Sequence, residues 1–172
     1  GHNGKIVGIM RPYVSEVLSG TDWFDHTILY QRKKTQDPEL GYRALVRKLR
    51  AHRFDTFILM TNSLRTGAIA WLSGARQRIG YVRYGRGPLL NGKLYPPRDG
   101  WKLTPVSAVD YYLQLAYSIG CPTEVRRLEL KTLPDDEAGA RQVWGNLKLE
   151  SAERVIAFNT GGARGAAKHW PL

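Results

Sequence analysis

The sequence predicts an α/β fold, a mostly parallel sheet with helices on both faces. Two observations carry that expectation: apolar runs of strand length alternate with segments of helical periodicity, and the connections between them are short. The first run, Lys5 to Met10, is short and rich in branched residues, as a buried parallel strand requires. Pro12 opens a short helix that Gly20 stops, and Thr27 to Tyr30 reads as a second strand. Asp37 and Pro38 supply an N-cap and a first-turn proline for a long helix whose buried face is marked by Tyr42, Leu45, Val46 and Leu49.

Thr56 to Met60 is the clearest strand. It breaks into Thr61-Asn62-Ser63, a turn rich in capping residues, and then into a helix from Leu64 to Leu72. A short strand, Arg78 to Tyr81, leads to a basic glycine-rich loop, Arg83 to Pro88. The stretch from Leu89 to Trp101 is too broken by glycine and proline to assign. Val109, Tyr112, Leu113 and Ala116 stripe the next helix, residues 121–134 form an extended connector, 135–146 a polar helix, and Val155 to Phe158 a last strand.

The chain of 172 residues carries 26 Lys and Arg against 15 Asp and Glu, a net charge of +11. A domain this basic meets phosphates on nucleic acid, lipid headgroups or nucleotide sugars, or else carries an inert soluble surface. The one cysteine, Cys121, excludes an internal disulfide. No run reaches the length of a membrane-spanning helix. His26, His52 and His169 lack cysteine or carboxylate companions at ligand spacing, so no metal site is expected. No nucleophile elbow or triad pattern appears.

In parallel sheets ligands sit beyond the carboxyl ends of the strands. That rule singles out two corners. Asn62, Ser63 and Arg65 could hydrogen-bond a polyhydroxylated or phosphorylated ligand, and either Asn62 or Ser63 could equally cap the helix. Arg83 and Arg86 read as a solvated basic loop or as phosphate contacts. After the last strand, Thr160-Gly161-Gly162 and the segment through Lys168 to Pro171 have the build of a phosphate site, with small residues, a cation and a coming helix N-terminus. The spacing fits neither a P-loop nor the dinucleotide fingerprint.

At these positions the sequence resembles the heptosyltransferases of glycosyltransferase family nine, most closely the heptosyltransferase II type. Thr61 to Ala68 is similar to the family's Pro-Asn-Ser-Phe-Arg/Lys-Ser-Ala run, Arg78 to Tyr81 continues as the family does, Gly87 to Asn91 matches its Gly-x-Leu-Leu element, and Thr160 to Pro171 resembles Pro-Gly-Ala-Glu-Tyr-Gly-Pro-Ala-Lys-Arg-Trp-Pro. The resemblance implies a GT-B architecture of two Rossmann-like domains. Residues 1–150 would be a partial N-terminal, acceptor-side domain lacking its first strand, and 151–172 the first strand and phosphate loop of the donor domain, truncated at both ends of the family pattern.

It further implies an inverting, metal-independent transfer of heptose from ADP-heptose to the inner core of lipopolysaccharide, without a cofactor. Lys168 would contact the donor diphosphate, with Gly161, Thr160 and Gly162 around it; Asn62, Ser63 and Arg65 would form the acceptor-side cleft. Ala163 and Arg164 depart from the family's glutamate and tyrosine. The family's base aspartate, on a loop after its opening strand, has no counterpart here, so no catalytic residue is assigned and the chain by itself is expected to be inactive. The implied partners are a nucleotide-sugar donor and a lipopolysaccharide core or lipid A acceptor, met in the cytoplasm by peripheral contact with the inner face of the cytoplasmic membrane, and not nucleic acid. The alternative is a basic α/β nucleic-acid-binding domain, which would show steep salt dependence, although no nucleic-acid motif is present.

Overall fold

The computed structural model describes residues 4–31 and 37–158. The chain divides into two compact units, Gly1–Lys131 and Thr132–Leu172.

In the first unit, β1 (Val7–Met10) is followed by α1 (Pro12–Val17) and β2 (His26–Leu29). The two strands pair in parallel, Val7 opposite His26 and Met10 opposite Leu29. The long helix starts later than its capping signal predicts. Asp37 does cap, accepting from the Glu39 amide at 2.8 Å, but the turn it caps is a single 3-10 turn over Pro38–Leu40. Gly41 is extended (φ −74°, ψ 163°), so α2 begins at Tyr42 and runs to His52. Its buried face is Ala44, Leu45 and Leu49. Leu45 and Leu49 join Ile28 and Ile69 in a core that Val7, Ile9 and Phe57 pack against; each such side chain contributes roughly 1.5–3 kcal/mol by leaving water.

The second sheet of this unit has the order β3 (Thr56–Leu59), β4 (Gln77–Tyr81), β5 (Gly92–Leu94), all parallel. α3 (Leu64–Leu72) connects β3 to β4. The unassigned stretch therefore holds β5, and beyond it an antiparallel hairpin of β6 (Arg98–Asp99) and β7 (Lys102–Leu103). α4 (Ala108–Tyr117) buries Leu115 completely, and Tyr112 is exposed, because Tyr111 and Leu115 pack on Ile79 and Tyr81 of β4. The buried stripe is thus turned from the one the apolar spacing marks.

The parallel α/β expectation holds, with one interruption. β1 and β3 each pair along a single edge, and instead of sharing a ladder they line a cavity of about 1410 Å³ whose walls include Ile9, Met10, Phe57 and Leu59.

In the second unit α5 (Pro134–Asn146) begins with Asp136 accepting from the Leu133 amide at 2.8 Å, as a proline-led helix with acidic first-turn residues should. Val155 to Phe158 is not a strand: it is irregular, and Ile156 and Phe158 are exposed. A strand needs a neighbour to satisfy its backbone, and among the described residues this unit offers none. No helix among the described residues is long and apolar enough to cross a membrane.

Candidate functional site

The corner after β3 is built by its own backbone chemistry. Ser63 takes the extended conformation of an N-cap (φ −80°, ψ 149°), and its Oγ accepts from the Thr66 amide at 3.2 Å. The Thr66 hydroxyl donates back to the Ser63 carbonyl at 2.8 Å. The cap is therefore Ser63, and Asn62 is released for another task. Replacing Ser63 with alanine should lower stability by about 1 kcal/mol, read from chemical denaturation.

Asn62 is held by a neighbour that the sequence disguises. Arg86, expected in a solvated loop, is completely buried. Its Nε donates to the Tyr81 carbonyl at 2.8 Å, its Nη1 to the Thr61 carbonyl, and its Nη2 to Asn62 Oδ1 at 3.0 Å. No carboxylate pairs with it among the described residues. Burial pushes the guanidinium's pKa down from its usual value, and Tyr111 pushes it back in part; the group stays a cation, since arginine loses its proton only far above neutrality.

Two glycines make room for this side chain. A Cβ at Gly80 would come within 3.1 Å of Arg86 Nη2 and 3.2 Å of Leu59 Cβ, and one at Gly67 within 3.2 Å of Arg86 Cβ. The loop that delivers Arg86 turns through left-handed backbone at Tyr84 (φ 48°) and Gly85 (φ 77°).

Tyr111 completes the cluster from α4. Its hydroxyl donates to Asn62 Oδ1 at 3.3 Å, and its ring stacks on Tyr81 with centroids 3.7 Å apart and planes 14° apart. Tyr81 in turn donates its hydroxyl to the Tyr111 carbonyl at 2.8 Å. Burial first, and then Tyr111, raise the Tyr81 pKa above the usual phenol value, which keeps that donor protonated. β3, β4, the glycine-rich loop and α4 are thereby tied at one point.

Beside this tie lies a cavity of about 450 Å³, walled by Asn62, Arg83, Pro96, Leu103, Tyr111 and Tyr112 among others. Arg83 is half-buried and lies 5.0 Å from the Tyr84 ring centroid, so it is braced by a cation–π contact. An amide, a cation, aromatic faces and prolines in one pocket suit a ring-bearing, anionic or polyhydroxylated ligand.

Of the three acceptor-side candidates the structure brings only Asn62 to this cavity. Ser63 is spent on the cap. Arg65 is exposed and turns to α2, its guanidinium 5.3 Å from the Tyr42 ring centroid with Nη1 3.3 Å from the Tyr42 hydroxyl. The donor-side candidates Thr160, Gly161, Gly162 and Lys168 lie outside the described residues. Sequence reading missed Tyr111, Tyr81 and the burial of Arg86. Its available signal was the pair of glycines, Gly67 and Gly80, inside a helix and a strand, where a close approach is the usual reason for their presence.

Comparison with known proteins bears on the same residues. Residues 42–172 match the family described as glycosyltransferase family 9 (heptosyltransferase). Two curated relatives are lipopolysaccharide heptosyltransferase 2 of Escherichia coli strain K12, 29% identical over 141 residues, and that of Salmonella typhimurium strain LT2, 30% identical over 141 residues. Each alignment covers 77% of this chain and 38% of the relative, so the chain spans well under half of those proteins.

Among solved structures, a glycosyl transferase family 9 protein from Veillonella parvula DSM 2008 superposes with a TM-score of 0.77 at 20% identity, covering 97% of this chain and 47% of that one. ADP-heptose lps heptosyltransferase II of E. coli superposes with a TM-score of 0.68 at 21% identity, covering 99% and 50%. Both show a shared fold. With a family match that takes in three quarters of its length, including the Asn62 and Arg86 corner, the chain belongs to glycosyltransferase family 9, the heptosyltransferase family.

Proposed function

We propose that this chain is the acceptor-side part, with the first donor-side loop, of an enzyme that transfers heptose from ADP-heptose to the inner core of lipopolysaccharide. The family match over residues 42–172 carries this reading; the names of the two curated relatives supply heptosyl transfer and lipopolysaccharide, and that of the E. coli structure supplies ADP-heptose. The reaction is an inverting displacement: an acceptor hydroxyl forms the new bond to the anomeric carbon as the bond to the diphosphate breaks, and ADP carries away the electron pair. The acceptor proton goes to a base outside this chain's assigned residues.

Lys168 and the amides of the loop around Gly161 and Gly162 stabilise the charge that grows on the departing diphosphate, without a metal or cofactor. The acceptor sits at the 450 Å³ cavity, where Asn62 and Arg83 meet its oxygens. The excess of 26 basic over 15 acidic residues draws the protein to the anionic acceptor at the inner face of the cytoplasmic membrane, as a cytoplasmic, peripherally bound enzyme.

The test is incubation of the full-length protein with ADP-heptose and a heptose-deficient lipopolysaccharide core. The expected result is release of ADP and a gain of one heptose in the acceptor's mass. No transfer to any core, together with binding to arbitrary DNA that weakens steeply with salt, would favour the nucleic-acid-binding alternative instead.

A further inference from the structure

Asn62 carries one acceptor oxygen and one donor nitrogen, and its surroundings decide which of them a ligand meets. Arg86 can only donate, and its Nη2 lies 3.0 Å from Oδ1; the Tyr111 hydroxyl lies 3.3 Å from the same atom. The oxygen is taken twice, while Nδ2 has no partner among the described residues. The amide is therefore fixed by its network with the nitrogen left for whatever occupies the cavity that Asn62 shares with Arg83 and Tyr112.

Arg86 is an unusual choice for such a clamp. It is fully buried with no counter-charge among the described residues, a costly arrangement that aliphatic packing would avoid. The cost acquires a reason if orientation of the corner, and not packing, is the purpose.

We propose that Arg86 is a positioning residue that locks Asn62 with its amide nitrogen toward the cavity, so that Asn62 donates a hydrogen bond to an oxygen of the acceptor sugar beside the Arg83 cation. This inference rests on the acceptor-side reading of the cavity given above. Loss of the lock leaves Asn62 free to present its oxygen, which repels a phosphate or carboxylate oxygen and cannot donate to a hydroxyl.

The experiment is steady-state heptose transfer by the full-length protein at varied acceptor concentration, below the melting transition of each variant. Asn62→Ala is expected to raise the acceptor KM about tenfold with kcat little changed, the value of one hydrogen bond to a polar or charged oxygen. Arg86→Met should raise KM by a similar factor, and the double variant should be no worse than either single one, because both remove the same donor.

Asn62→Asp is the fold-preserving check. Its carboxylate gives Arg86 a charge partner, so the melting temperature should hold or rise while the acceptor KM rises at least as far as in the alanine variant. An acceptor KM within about twofold of wild type in Asn62→Asp, less than half a kcal/mol of lost binding, or multiplying effects in the double variant, would overturn the proposal while leaving the transferase reading intact. An inactive wild type defeats that reading, and this inference with it.

Discussion

Arg86→Met is expected to destabilise the first unit by about 3 kcal/mol, an unusually large effect for a residue in a surface-like, glycine-rich sequence context. Methionine fills much of the same space, so the loss is not one of volume. It comes chiefly from the buried Tyr81 carbonyl, which loses its guanidinium donor; the exposed Thr61 carbonyl keeps the Thr66 hydroxyl at 3.4 Å, and Asn62 keeps Tyr111. A buried acceptor left without a donor costs about 1–3 kcal/mol. Relief from burying a cation that has no carboxylate partner among the described residues offsets part of that, and two of the three acceptors keep another donor, so the expected sum stays near one full penalty.

Arg86→Lys separates charge from geometry. A lysine keeps the cation but replaces the planar fork by a single ammonium that cannot span three acceptors set around it. It should be no more stable than the methionine variant. Urea unfolding of the full-length protein, followed at the first transition, reads both. A methionine variant within about 0.5 kcal/mol of wild type would show that the corner holds without Arg86.

Lys168→Ala is expected to lower kcat about 100- to 1000-fold, the usual effect of removing one preorganised donor aimed at charge that develops in the transition state. The departing diphosphate gains negative charge as the anomeric bond breaks, so a lysine placed on it stabilises the transition state more than the bound donor. Its loss should therefore fall on kcat and less on the donor KM. Lys168→Arg keeps the charge and should retain a larger share of the rate. A lysine that merely decorates a surface turn would give wild-type rates in both variants.

The two corner residues were legible from the sequence to different depths. The strand-to-helix break at Thr61-Asn62-Ser63 was plain, because a branched run stops at capping residues; which of the two caps was not, since asparagine and serine serve equally well there. Ser63 takes the cap, and the Arg86 contact, 24 residues away in sequence, gives Asn62 its other role. Arg86 itself was misread because an arginine among glycines reads as solvated, and its burial depends on the space that Gly67 and Gly80 leave. The start of α2 shifted because Gly41 interrupts the helix that Asp37 and Pro38 announce.

On α4 the apolar residues are spread nearly all round, so spacing alone could not choose the face; the stack of Tyr111 on Tyr81 does. Val155 to Phe158 carries a strand's composition, and composition cannot supply the neighbouring strand that would order it.

The heptosyl-transfer proposal assigns an acceptor contact to Asn62 and a diphosphate contact to Lys168. Its most direct test is a single set of rates: heptose transfer from ADP-heptose to a lipopolysaccharide core by full-length wild type, Lys168→Ala and Asn62→Asp. The expected result is transfer by wild type, a collapse of kcat in the lysine variant, and a raised acceptor KM in the asparagine variant. Equal rates and equal KM values in all three proteins would contradict it.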